Sequence, residues 1–60
     1  MDGARWIVLA GDRCWSYAKH GPMLRMVARL SRNPSLEVYR RAANGHWERV
    51  PPFTVGEWLA

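Results

Sequence analysis

The sequence predicts one small α+β domain over residues 1–60, with its elements in the order ββαββα. Three features support this prediction: two strand pairs that each surround a glycine-containing turn, an amphipathic helix between them, and a short capped helix at the end. We expect an antiparallel sheet to pack on the central helix, while the last helix closes an edge or an end of the sheet.

The first strand pair is predicted between Arg5 and Ala18. Trp, Ile, Val, Cys and Tyr residues flank Gly11-Asp12, a pair suited to a tight hairpin turn. An alternative keeps Trp6 to Ala10 as a strand and makes Cys14 to Lys19 a helical turn. Periodicity over so few residues does not separate the two interpretations.

The central helix is predicted from Pro22 to Arg32, because proline is tolerated in a first turn and good helix formers follow it. Asn33-Pro34 ends it. Helical spacing places four apolar residues on one stripe that should face the sheet: Met23, Met26, Val27 and Leu30. The same spacing places three arginines on another side: Arg25, Arg29 and Arg32.

The second hairpin is predicted to pair residues 36–42 with residues 46–50 around Asn44-Gly45. A two-residue turn would place Arg40 opposite Arg49, and like charges facing each other across strands are unfavourable. A three-residue loop from Ala43 to Gly45 instead pairs Arg40 with Glu48. We therefore predict this second register, with Gly45 in a left-handed conformation and Val38 opposite Val50.

Because side chains alternate along a strand, this register divides the hairpin into two faces. One face is the predicted core and contains Leu36, Val38 and Val50. The other is a mixed aromatic and arginine surface that contains Glu37, Tyr39, Arg41, Trp47 and Arg49.

A short terminal helix is predicted from Val55 to Ala60. Thr54 and Glu57 have the spacing of a capping box, and Phe53 and Trp58 that of a hydrophobic staple. The hairpin and the helix ending at Glu57-Trp58-Leu59-Ala60 together resemble the arm-type DNA-binding domains of tyrosine recombinases. This resemblance covers fewer than half of the residues, and no site residue is transferred from it.

Composition and charge limit the classes of function. The chain has a net charge of +4, a pI near 10.2 and 48% hydrophobic residues, which predicts a folded domain that attracts anions. The single cysteine excludes an internal disulfide, and the longest apolar run is too short for a membrane span. We expect a cytoplasmic protein without membrane partners. A core this small also favours a partner or a homodimer that covers leftover aromatic surface.

Catalytic and metal sites are not predicted. Cys14, His20 and His46 lack the spacing of zinc motifs and of an activated nucleophile, and we expect Cys14 to be a small core residue. The glycines form no phosphate-binding loop, so no cofactor is predicted. The chain is therefore expected not to be an enzyme.

Two binding functions remain, and both depend on arginine. The first is a protein-binding or regulatory module, of the kind that mobile elements encode, which contacts its partner through Tyr39, Arg41, Trp47 and Arg49. The alternative is nucleic-acid binding, with bases on this sheet face and phosphates on the helix arginines. For the helix arginines an ordinary solvated face is favoured, and the terminal helix could cover Trp47.

Overall fold

The computed structural model describes residues 3–60, and they form four strands and two helices. In chain order, these are β1 (Trp6–Ala10), β2 (Arg13–Tyr17), α1 (His20–Arg29), β3 (Leu36–Arg41), β4 (Trp47–Arg49) and α2 (Pro52–Leu59). The strands form one sheet in the order β2-β1-β3-β4, and all neighbouring strands are antiparallel. The predicted α+β class and the ββαββα order are confirmed.

The first hairpin has the two-residue turn that its sequence predicts. Ala10 is opposite Arg13, and Gly11 between them has a φ of 65°, a conformation that glycine adopts without steric cost. The alternative with a helical turn after Cys14 is wrong, because Arg13–Tyr17 is a strand and α1 begins only at His20.

The second hairpin has the predicted register. Arg40 lies opposite Glu48, and the Val50 N–H donates to the Val38 carbonyl at 2.8 Å. Gly45 has a φ of 87°, as the three-residue loop requires. The Arg40 Nε and Glu48 Oε1 atoms are 3.9 Å apart, and both side chains are more than half exposed. Such a pair stabilises the fold by at most about 1 kcal/mol, so its main effect is to favour this register over the alternative.

Helix α1 is displaced from its predicted range of Pro22 to Arg32. It begins earlier, at His20, because proline at the third helical position lies within the first turn, where no N–H partner exists. It ends earlier because Leu30 leaves helical geometry, with φ −100° and ψ 10°. Arg32 therefore lies outside the helix, and the prediction that it shares a helical stripe with Arg25 and Arg29 is wrong.

The core lies between the sheet and the two helices. Its buried cluster contains Val8, Met23, Val27, Val38 and Val50. The predicted α1 stripe is confirmed, because Met23 and Val27 are fully buried while Met26 and Leu30 pack against the same cluster. Val8 and Val38 face each other on the two central strands, so the core side of the sheet is the side of these two valines.

Helix α2 begins three residues before its predicted start. Pro51 precedes it in extended conformation, Pro52 is its first residue, and the Val55 N–H already donates to the Pro51 carbonyl at 3.2 Å. Thr54 is therefore inside the helix, and the predicted capping box is wrong. The predicted staple is wrong too, because Phe53 is 72% exposed.

The indole of Trp58 holds α2 against the rest of the domain. Its ring centroid lies 5.5 Å from that of Trp6, edge to face, and 5.0 Å from that of His20. Trp6 lies on the same side of β1 as Val8, so α2 packs on the core side of the sheet, as α1 does.

Candidate partner-binding face

The side of the sheet opposite both helices is the candidate site, and we call it the open face. Alternation from the observed cross-strand pairs assigns to it Ile7, Leu9, Cys14, Ser16, Glu37, Tyr39, Arg41, Trp47 and Arg49. Within residues 3–60, both helices pack on the other side of the sheet, against the buried core cluster. The concern that α2 covers Trp47 is therefore removed.

The four residues predicted from the hairpin lie together on the open face. Tyr39 is opposite Arg49, and Arg41 is opposite Trp47, so the four form two adjacent cross-strand pairs. The Arg41 guanidinium carbon lies 4.7 Å from the centroid of the Trp47 ring, which is cation–π geometry. This contact holds a half-buried indole and a cation side by side.

Tyr39 is oriented by an acidic neighbour on its own strand. Its hydroxyl donates to Glu37 Oε1 at 2.7 Å. The pKa of Tyr39 is raised above its ordinary value, first because this hydrogen bond favours the neutral phenol, and then because of burial and the Glu37 charge; Arg49 opposes the shift. The hydrogen bond to Glu37 holds the Tyr39 ring in place beside Arg49.

The open face also contains residues that the sequence argument did not assign to it. Ile7 and Leu9 are half-buried and lie opposite Tyr39 and Glu37 on β3. They form an apolar floor next to the aromatic pair. Trp6–Ala10 is apolar at every position, so the sequence does not show which of its residues face the core. The antiparallel pairing of β1 with β3 also joins residues about 30 positions apart, which local signals do not indicate.

Positive charge extends from the open face toward the end of the sheet. Arg5 precedes β1, and its carbonyl accepts the Arg41 N–H at 2.9 Å. These two arginines line an open depression of about 530 Å³, together with residues of the loop between β3 and β4. Among the described residues, Arg41 and Arg49 lie on the open face with one carboxylate, Glu37, and Arg5 adds a third positive charge at the end of the sheet.

The helix arginines belong to a different surface. Arg25 and Arg29 are exposed on α1, which packs on the core side of the sheet, whereas the open face points away from both helices. Arg32 lies in the turn after α1. One ligand lying flat on the open face therefore does not reach Arg25 or Arg29.

The candidate catalytic residues are not brought together. Cys14 is exposed on the open face, so the prediction of a core cysteine is wrong; the neighbouring Trp15 takes the inward position instead. His20 packs between Trp6 and Trp58 on the core side. His46 lies in the loop before β4, and its N–H donates to Asn44 Oδ1 at 3.0 Å.

The described part of the chain has neither a metal-binding cluster nor a membrane-spanning helix. Residues 3–60 contain no group of three or more His, Cys, Asp or Glu residues placed to hold a metal ion. No helix in the same range has the length and apolar character needed to cross a bilayer.

Comparisons with known proteins give no relative. No protein family, curated protein or solved structure matches the chain. The resemblance to recombinase arm domains also loses the capping box on which it partly rested.

Proposed function

We propose that this protein is a non-enzymatic, cytoplasmic protein-binding or regulatory module that contacts its partner through the open face. The observation that supports this most is the Arg41–Trp47 stack beside Tyr39, on a sheet face that neither α1 nor α2 covers. Tryptophan, tyrosine and arginine are the residues most enriched among energetic anchors of protein interfaces. The separation of Cys14, His20 and His46 supports a binding role over catalysis.

The composition of the face defines the partner that fits it. Ile7 and Leu9 form an apolar floor, and Arg41 and Arg49 are exposed residues on the β3 and β4 side of it. Interfaces of this type bury an apolar centre and leave charged groups at the edge. The complementary surface therefore has an apolar or aromatic centre bordered by Asp or Glu side chains.

The proposal is tested by affinity capture from the source cell with immobilised wild type, Trp47→Ala and the double variant Arg25→Ala, Arg29→Ala. We expect a specific protein to bind the wild type and the helix double variant but not Trp47→Ala, because truncating a central anchor costs about 2 kcal/mol or more. Capture should survive nuclease treatment and moderate salt. Retention of the same protein by folded Trp47→Ala would reject this face as the site.

A second candidate function is the binding of single-stranded nucleic acid on the same face. It is favoured by the position of Tyr39 and Trp47 on neighbouring strands of a four-stranded sheet whose helices lie on the other side. Aromatic residues on such a sheet stack bases, and neighbouring arginines contact phosphates. Duplex binding through α1 has less support from the structure than from the sequence, because the helix contains only two of the three predicted arginines, Arg25 and Arg29.

Salt dependence separates this candidate from protein binding. If Arg5, Arg41 and Arg49 contact about three phosphates, the logarithm of the affinity for a single strand should fall against the logarithm of salt with a slope of about −2. Fluorescence anisotropy with labelled oligonucleotides of mixed sequence measures it. An absence of binding at low salt removes the candidate, and a slope unchanged in Arg41→Ala shows that the phosphates lie elsewhere.

A further inference from the structure

We propose that two copies of this chain form a two-fold dimer by antiparallel pairing of their β2 strands. Strand β2 is an edge of the sheet, and within residues 3–60 no strand pairs with its outer side. Its outward backbone groups are a template for another strand. This inference does not depend on the proposed function of the open face.

The two edges of the sheet differ in how they are protected against such pairing. Strand β4 has three residues and is followed closely by Pro51 and Pro52, which have no N–H to donate. Strand β2 has five residues, contains no proline, and has one charged residue, Arg13, at its first position. Natural edges are usually blocked by shortness, proline or an inward-pointing charge. Strand β2 is not short and has no proline, and its one core-side charge, Arg13, is exposed beside the turn, so residues 14–16 at the centre of the edge are uncharged.

The hydrogen-bonding pattern shows which groups of β2 point outward. The two-residue turn closes on Ala10 and Arg13 as a bonded pair, so residues 13, 15 and 17 bond inward to β1. The Arg5 N–H donates to the Tyr17 carbonyl at 2.8 Å, so Tyr17 points toward β1, as this alternation requires. The backbone N–H and carbonyl groups of Cys14 and Ser16 therefore point away from the sheet.

Only one symmetric register uses all these outward groups. With Trp15 on the two-fold axis, Cys14 of each copy lies opposite Ser16 of the second copy, and each of these two pairs exchanges two hydrogen bonds. Centring on Cys14 places Ser16 against Asp12 in the turn, and centring on Ser16 places Cys14 against Ala18 beyond the strand. The Trp15 register is therefore the one we assign.

The side chains in this register are complementary. Trp15 faces Trp15 of the second copy, and Arg13 faces Tyr17, so no like charges oppose each other. An arginine opposite a tyrosine also permits a cation–π contact, and two facing indoles form an aromatic pair. Because the axis is perpendicular to the sheet, the dimer would have one continuous sheet with both open faces on the same side.

Sedimentation over a range of concentrations tests the dimer. A 6.9 kDa chain should convert to a species of twice that mass as the concentration rises. Ser16→Pro removes an outward N–H that no strand among residues 3–60 pairs with, whereas the matched variant Ser16→Ala keeps it. Losing one hydrogen bond in each half of the dimer should weaken association about ten- to a hundredfold in Ser16→Pro and leave Ser16→Ala unchanged. A wild type that stays monomeric at every concentration, or equal association of the two folded variants, overturns the proposal.

Disulfide trapping tests the register and needs no proline variant. Opposed Cα atoms in a bonded antiparallel pair are about 5.5 Å apart, within disulfide range, so Ser16→Cys should cross-link through Cys14 of the second copy on mild oxidation. In the wild type the two Cys14 residues are offset by two positions and lie about 8 Å apart, beyond that range. The wild type and the double variant Ser16→Cys, Cys14→Ser should therefore cross-link much more slowly. Equal rates for all three proteins, or fastest cross-linking in the wild type, contradict the Trp15 register.

Discussion

Helix α2 is held to the domain chiefly through Trp58, and truncating this residue should have a large effect on stability. Eight residues are too few for an independent helix, so α2 depends on its packing. Trp58 contacts the rings of Trp6 and His20 and packs against the buried valine cluster. Trp58→Ala removes all of these contacts together.

The size of the effect follows from the area of the indole. A tryptophan side chain buries up to about 150–250 Å², and at about 25 cal/mol per Å² complete burial corresponds to about 4–6 kcal/mol. Trp58 is only partly buried, so we expect Trp58→Ala to lower the free energy of unfolding by about 2–4 kcal/mol. For a domain of 60 residues, whose total is about 3–9 kcal/mol, this is a large fraction.

Urea denaturation followed by circular dichroism measures this difference, and α2 supplies its own control. Phe53 is in the same helix but is 72% exposed, so Phe53→Ala should change the unfolding free energy by less than about 0.5 kcal/mol. If Phe53→Ala costs as much as Trp58→Ala, the placement of α2 is wrong, and a Phe53–Trp58 staple would regain support.

Three further predictions concern single residues. Gly45→Ala should destabilise the protein by about 1 kcal/mol, because the φ of Gly45 is 87°, whereas Gly56→Ala inside α2 meets open space and should stabilise the protein by about 0.5–1 kcal/mol. A higher thermal unfolding temperature for Gly45→Ala than for Gly56→Ala contradicts the loop geometry. Tyr39 should ionise at a higher pH than a free tyrosine, so its stabilising contribution is present below its unfolded pKa of about 10 and is lost as the pH rises through the higher folded pKa. Glu37→Gln should lower the folded pKa of Tyr39, as measured by tyrosinate absorbance, and an unchanged titration refutes the hydrogen bond. Cys14 should react with a thiol reagent in the folded protein nearly as fast as in urea, and strong protection under native conditions would restore the core assignment.

The second hairpin was predictable because two local signals agreed. Asn44-Gly45 indicated the turn, and repulsion between Arg40 and Arg49 excluded the two-residue loop, so the pairing of Arg40 with Glu48 followed. This register also grouped Tyr39 with its neighbours on one face correctly. What it did not indicate was the contribution of β1, whose pairing with β3 is non-local.

The errors at the helix ends and at Cys14 have physical explanations. Thr54 and Glu57 match a capping pattern, but Pro51-Pro52 offers an earlier helix start at which proline needs no N–H partner. Arg32 was assigned to α1 because arginine is a good helix former, although Asn33 caps its own turn by accepting the Ser35 N–H at 2.8 Å. Cys14 was judged by residue type, whereas alternation with Trp15 decides which side it faces.

The claim that the open face is the binding surface is tested most directly by NMR titration of the isotope-labelled chain with the captured partner, or with a single-stranded oligonucleotide. We expect the largest shifts at Tyr39, Arg41, Trp47 and Arg49, with the Trp47 indole N–H among them. Shifts concentrated instead at Arg25 and Arg29 of α1, with the Trp47 signal unmoved, would contradict it.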